Sequence, residues 1–180
     1  MHDQYCKARC HRQAGFTMVE LMIVIAVIAI LSAIAVPNII NSLPNYRLKA
    51  AARDMLSNFQ KAKMEAVKRN VTVVLDFVPA SNMYEMFVDD GAGGGNANNF
   101  TRDGGETLLG TFGMPNDVTL SSASFSGGTQ KAGFNSRGLP ANRRIGNVIL
   151  LNNNSRYYKA TLSSAGNIRL EMSSDGTNWN

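Results

Sequence analysis

Residues 15–37 read GFTMVELMIVIAVIAILSAIAVP, and the reading of this stretch governs the reading of the whole 180-residue chain. Between Leu21 and Val36 the only polar residue is Ser32. Extended back to Phe16, the run covers about 20 residues, enough to cross a hydrocarbon core of roughly 30 Å as a helix. A helix buried in a soluble core would carry a polar stripe, and this one carries none. Upstream, Lys7, Arg9 and Arg12 form a basic flank of the kind retained in the cytoplasm, which orients the span. No small-residue cleavage site follows the apolar run, so it does not read as an ordinary secretory signal. Glu20 sits one turn inside the span, where a carboxylate costs a few kcal/mol unless it is paired; such residues are usually functional. Pro37 and Pro44 each remove an N–H from a helical ladder, which predicts a loosened or kinked stretch at residues 38–45.

Beyond the prolines the periodicity becomes amphipathic. Leu48, Ala52, Met55, Phe59, Ala62 and Ala66 recur at alternating spacings of four and three, with Arg53, Asn58, Lys61, Glu65 and Lys68 on the other faces. This half of the helix is expected to pack on a soluble layer. After Asn70 come short β-type runs at 71–78, 83–88, 107–112, 118–125, 147–151, 156–162 and 167–172, divided by turn residues. Seven or eight antiparallel strands are expected, with residues 91–99 (GAGGGNANN) as a mobile loop. A long helix laid on antiparallel sheet is an α+β arrangement. The segments are therefore residues 1–15, a leader; 16–36, a membrane helix; 37–70, its amphipathic continuation; and 71–180, a β-rich domain.

The motif Gly15-Phe16-Thr17-Met18-Val19-Glu20-Leu21 resembles the class III signal of the type IV pilin-like superfamily. The resemblance implies cleavage after Gly15 by a prepilin peptidase, N-methylation of the new terminus at Phe16, and retention of the apolar helix. Glu20 and Pro37 fall where pilins and pseudopilins carry an assembly glutamate and a helix-loosening proline. The partner implied for Glu20 is the α-amino group of a neighbouring subunit's Phe16. Gly15 suits a peptidase that must approach the backbone closely. Two shorter stretches, Phe134-Asn-Ser-Arg-Gly-Leu-Pro140 and Leu162-Ser-Ser-Ala-Gly-Asn-Ile-Arg169, together with the chain length, are similar to the GspH/FimT group of minor pseudopilins and minor pilins. That resemblance implies a pilin-like fold and a role in assembling or initiating a type II secretion pseudopilus or type IV pilus. Its implied setting is the bacterial inner membrane with the domain in the periplasm, and its implied partners are other minor and major subunits.

Charge supplies the competing reading. Residues 46–70 carry seven basic and two acidic side chains, residues 71–117 one basic and seven acidic, and residues 118–170 seven basic and no acidic ones. Blocks of this kind steer partners, and the last could contact phosphates. Arg143, Arg144, Arg156, Lys159 and Arg169 form the candidate DNA-contact patch. In the family resembled, some relatives on the pilus side bind DNA for uptake through a C-terminal Gly-Arg-x-Arg pattern; here the matching residues are Gly166-Asn167-Ile168-Arg169, without the first arginine. Strand alternation would also put some of the five on different faces, and solvated-surface or subunit-contact roles compete with DNA.

Composition excludes much else. Both cysteines, Cys6 and Cys10, and both histidines, His2 and His11, lie in the leader, so no Ser-His or Cys-His pair is available in the body of the chain and no enzyme is expected. A metal site at Cys6, Cys10 and His11 would be lost with the leader. Asp89-Asp90-Gly91 and Asp175-Gly176-Thr177-Asn178 could offer oxygens to calcium, yet both also read as Asp-Gly turns, and no cofactor is expected. Removal of residues 1–15 leaves 15 basic and 12 acidic residues, so the net +5 belongs only partly to the leader and the remaining chain keeps +3.

Overall fold

Residues 15–180 are described in the computed structural model, and the leader residues Cys6, Lys7, Arg9, Cys10, His11 and Arg12 lie outside the described residues. The first element, α1, runs Met18–Arg69. Its start is a reciprocal capping box: the Glu20 N–H donates to Thr17 Oγ1 at 3.2 Å, and the Thr17 N–H donates to Glu20 Oε2 at 3.4 Å. Its end is a Schellman motif on Asn70, which takes φ +57. There the Val71 N–H reaches the Ala66 carbonyl at 3.2 Å and the Asn70 N–H the Val67 carbonyl at 3.3 Å. Residues 38–45, with Pro37 before them and Pro44 among them, belong to the same helical segment.

The chain divides into two units at Asn41 and Ser42. In the first, every described residue from 15 to 41 is exposed. The second holds the core. On α1 the buried residues are Leu48, Ala51, Ala52, Met55, Phe59, Ala62 and Ala66, the expected stripe with Ala51 added.

Eight strands follow: β1 (Thr72–Val78), β2 (Met83–Asp89), β3 (Leu108–Gly113), β4 (Val118–Phe125), β5 (Lys131–Phe134), β6 (Gly146–Asn152), β7 (Tyr157–Leu162) and β8 (Ile168–Ser173). They form two antiparallel four-stranded sheets, ordered β3-β2-β1-β5 and β4-β6-β7-β8. Seven of them fall on the β-type runs of the sequence, and β5 is the eighth. Its four residues, Lys-Ala-Gly-Phe, are too short to show alternation, and it forms by pairing with β1, Phe134 opposite Val73 and Lys131 opposite Asp76. A chain of aromatic rings ties helix and sheets together. Phe59 of α1 lies 5.7 Å from Phe77 of β1, and Phe77 lies 5.8 Å from Phe125 of the second sheet. Tyr84, 5.3 Å from Phe77, accepts a hydrogen bond from Asn58 Nδ2 at 2.7 Å, and burial pushes its hydroxyl pKa up to about 12.

The glycine-rich loop is more organised than expected. Asp89 is buried at the end of β2 and accepts hydrogen bonds from the N–H groups of Asn98, at 2.6 Å, and Phe100, at 2.8 Å. Buried Glu106 accepts from the Gly91 N–H at 3.0 Å and the Asp103 N–H at 2.8 Å. These two carboxylates replace the apolar anchor that the loop lacks, and they seat Phe100 in a small second core with Val74, Phe87 and Ala141.

Candidate functional site

Phe16, Met18, Val19 and the apolar residues from Leu21 to Ile40 are presented outward on a helix whose continuation is a core element. An exposed apolar surface of this extent marks a lipid or protein contact. Glu20 is the one acidic residue within it, and its carboxylate lies against the helix's own N-terminus through the Thr17 N–H. The spacing Thr17-x-x-Glu20 is that of a capping box, so this contact within the helix stands beside the intermolecular pairing and the headgroup-level position that the sequence also allows for Glu20. At Gly15, a Cβ would meet nothing within 4 Å. The fold therefore makes no demand for glycine there, and any such demand comes from outside the chain.

The two short loop motifs converge on one side chain of α1. Asn135 closes the first: its Oδ1 accepts from the Arg137 N–H at 3.0 Å and the Leu139 N–H at 3.2 Å. Gly138 in that loop and Gly166 in the second both adopt positive φ, +72 and +73. Lys63 reaches between them and donates from Nζ to the Gly166 carbonyl at 3.0 Å. The contact joins residues 103 apart in sequence, so no local spacing marks Lys63.

The five basic candidates are distributed over different environments. Lys159 and Arg169 share a groove on one face of the second sheet, with Lys159 paired to Glu171 at 2.7 Å and lying 4.2 Å from the Trp179 ring. Arg156 lines a separate cleft beside Asn45 and Lys49 of α1. Arg143 lines a third groove with Arg137 and Leu139. Arg144 turns its guanidinium onto the Phe100 ring at 3.8 Å and donates to Thr129 Oγ1 at 3.0 Å, so it is engaged in packing.

The acidic turns behave as turns. Asp90 Oδ1 accepts from the Ala92 N–H at 3.1 Å. Asp175 accepts from the Thr177 and Asn178 N–H groups, both at 2.9 Å, and from Ser173 Oγ at 2.8 Å; these donors hold its carboxyl well below the usual carboxylate range. Among the described residues, no three Asp, Glu, His or Cys side chains gather as a metal-binding set.

A helix that exposes an apolar first segment and then packs its continuation on two antiparallel sheets defines a pilin-type subunit. The chain belongs to the GspH family: the family model for Type II transport protein GspH matches residues 51–166, and that for the prokaryotic N-terminal methylation motif matches residues 10–36. It is similar to the pilin-like protein PilA1 of Thermus thermophilus, with 31% identity over 161 residues, 87% of this chain and 97% of the relative. Its N-terminal part is similar to prepilin peptidase-dependent protein D of Escherichia coli, 54% identical over 48 residues, or 27% of this chain and 30% of the relative. The fold is shared with the type IV minor pilin FimU of Pseudomonas aeruginosa, at TM-score 0.52 and 15% identity over 76% of this chain and 94% of that one. The minor pseudopilin EpsH of the Vibrio cholerae type 2 secretion system matches at TM-score 0.51 and 12% identity, over 69% of this chain and 95% of that one. The pilin-like α+β fold expected from the sequence is thus present, and the chain is a pilus or pseudopilus component from a family of structural, non-enzymatic proteins.

Proposed function

We propose that this chain is a minor subunit that helps to initiate or assemble a type II secretion pseudopilus or a type IV pilus. It enters the bacterial inner membrane through residues 16–36 with its leader in the cytoplasm, is cut after Gly15 by the prepilin peptidase, and is methylated at Phe16. Glu20 then pairs with the α-amino group of a neighbouring subunit's Phe16, and Pro37 lets the helix loosen as subunits pack. The observation that carries this reading is the full exposure of residues 15–41 on a helix whose later turns are core. Such a segment needs lipid before assembly and other apolar helices afterwards. The full-length chain should co-purify with the other minor subunits from detergent-solubilised membranes; its recovery alone under conditions that retain their mutual contacts would contradict the proposal.

The DNA-uptake reading has weaker support, because Arg144 is engaged with Phe100, Lys159 is paired with Glu171, and Arg143, Arg156 and Arg169 line three separate grooves. Steeply salt-dependent DNA binding abolished by Arg143→Ala with Arg169→Ala would revive it.

A further inference from the structure

Within the second unit, the first sheet ends on β3, whose one hydrogen-bonded neighbour among the described residues is β2. The Met114 N–H donates to the Asn82 carbonyl at 3.0 Å, next to the pairing of Met83 with Gly113. Alternation along an antiparallel pair then turns the N–H and C=O groups of Thr111 and Gly113 away from β2, toward the open edge. Gly113 adds a second sign of an approaching backbone. A Cβ there would meet nothing within 4 Å, so the fold itself leaves room for a side chain, and a glycine inside a strand often marks where another main chain comes close.

The other three sheet edges are guarded. On β4, Asn82 donates from Nδ2 to the Val118 carbonyl at 2.9 Å and accepts at Oδ1 from the Leu120 N–H at 2.7 Å. On β5, the chain returns so that Pro140 bridges to Phe134. On β8, Asn180 exchanges two backbone hydrogen bonds with Met172, and Arg169 and Glu171 put charge on the strand. Charge, proline and a covering segment are the usual devices against edge pairing. Residues 107–113 (TLLGTFG) carry no charge and no proline.

The edge opens into a groove of about 310 Å³ between β3 and α1. Tyr84 and Phe112, stacked with their ring centroids 5.0 Å apart, line it together with Ala51 and Asn58, and Asp54 is its only charged residue among those described. Asp54 is exposed and has no ion-pair partner among the described residues. Main-chain groups without partners, beside an aromatic floor and a lone carboxylate, suit an extended segment that carries a lysine or arginine. A second copy fits less well, since its own β3 brings no cation and its other edges are guarded.

We propose that β3 accepts an extended, basic segment of another subunit of the same filament as a fifth strand of the first sheet, with the Thr111 and Gly113 main chain as its partners and Asp54 receiving its cation. The inference rests on the assembly reading given above. It gives the β-rich domain a subunit contact of its own, apart from the helix packing of residues 15–41.

The test uses the full-length chain in detergent, alone and with the co-expressed minor subunits of its filament. Amide hydrogen exchange at Thr111 and Gly113 should be fast in the lone chain and about ten-fold slower or more in the complex. Thr111→Pro, at a position whose N–H has no acceptor among the described residues, should keep the wild-type Tm and lower co-purification about ten-fold. Asp54→Lys, at an exposed helix position, should lower it by a similar factor of about ten. If Thr111→Pro lowers the Tm, the wild-type exchange and Asp54→Lys decide. A complex in which the Thr111 and Gly113 amides stay unprotected, or one that either variant forms, when folded, as well as the wild type does, would overturn the proposal and leave the assembly reading standing. Protection that appears in the lone chain and grows with its concentration would overturn it in favour of a second copy. If no minor subunit co-purifies with the wild-type chain, the assembly reading falls first and the strand-docking proposal with it.

Discussion

Gly166 and Gly138 stand so close that a Cβ on Gly166 would come 2.6 Å from the Gly138 carbonyl oxygen, a separation that no side chain tolerates. Both glycines also need positive φ, where an L side chain costs roughly 1–2 kcal/mol. Their loops meet over Lys63, so the two short loop motifs form a clasp between the sheet ends and α1. Gly166→Ala should therefore destabilise the domain by about 2–4 kcal/mol, from the backbone and steric costs together. Thermal melts of the full chain in detergent would register this as a lowered Tm. Lys63→Met, which keeps the apolar stem and loses one hydrogen bond, should cost only about 1 kcal/mol.

Asp89 supplies a pH signature. Burial raises its carboxyl pKa, and the Phe100 and Asn98 N–H groups oppose that rise. The native state thus holds the proton to higher pH than the unfolded chain does. The stabilisation is complete below the unfolded pKa and is lost as pH rises through the folded one. Between the ordinary carboxylate range and neutrality, Asp89→Asn should flatten the fall in Tm with rising pH, whatever its effect on absolute stability. An unchanged slope would remove Asp89 as the source.

Asp175 acts in the opposite sense. Its lowered pKa means that the contribution of its turn is present above the unfolded pKa and is lost only as pH falls through the folded one, so the turn should survive acidification that protonates ordinary carboxylates. The turn brings Asn180 back to pair with Met172, at 2.9 and 3.0 Å, and sets Trp179 over Lys159. Asp175→Ala should release both, seen as faster hydrogen exchange at Met172 and Asn180 and as a shift in the fluorescence of the chain's one tryptophan.

The legible parts of this molecule are those with a local period. The Leu48–Ala66 stripe could be read because helical spacing exposes a buried face residue by residue, and seven of the strands because turn residues bound them. What escaped depended on distant partners. Residues 91–99 look structureless by composition, yet the groups that order the loop are Asp89 and Glu106, just outside the window. β5 exists only through β1, and the Gly138–Gly166–Lys63 clasp joins three segments that no spacing connects. The five basic candidates share a sign, but sequence order does not tell which groove each one lines.

Glu20 has a local role in the capping box and a proposed role in subunit pairing, and substitution separates the two. Glu20→Gln keeps a side chain able to cap Thr17 and removes the charge, whereas Glu20→Ala removes both. Membrane insertion and leader removal should be normal in either variant. The decisive measurement is the amount of full-length chain recovered in sheared, purified filaments relative to the amount in membranes. If Glu20 pairs with the neighbouring Phe16 amine, both variants should fall about ten-fold or more, a loss of at least about 1.4 kcal/mol. Wild-type recovery of Glu20→Gln would show that capping alone suffices and that Glu20 does not pair with the neighbouring Phe16 amine.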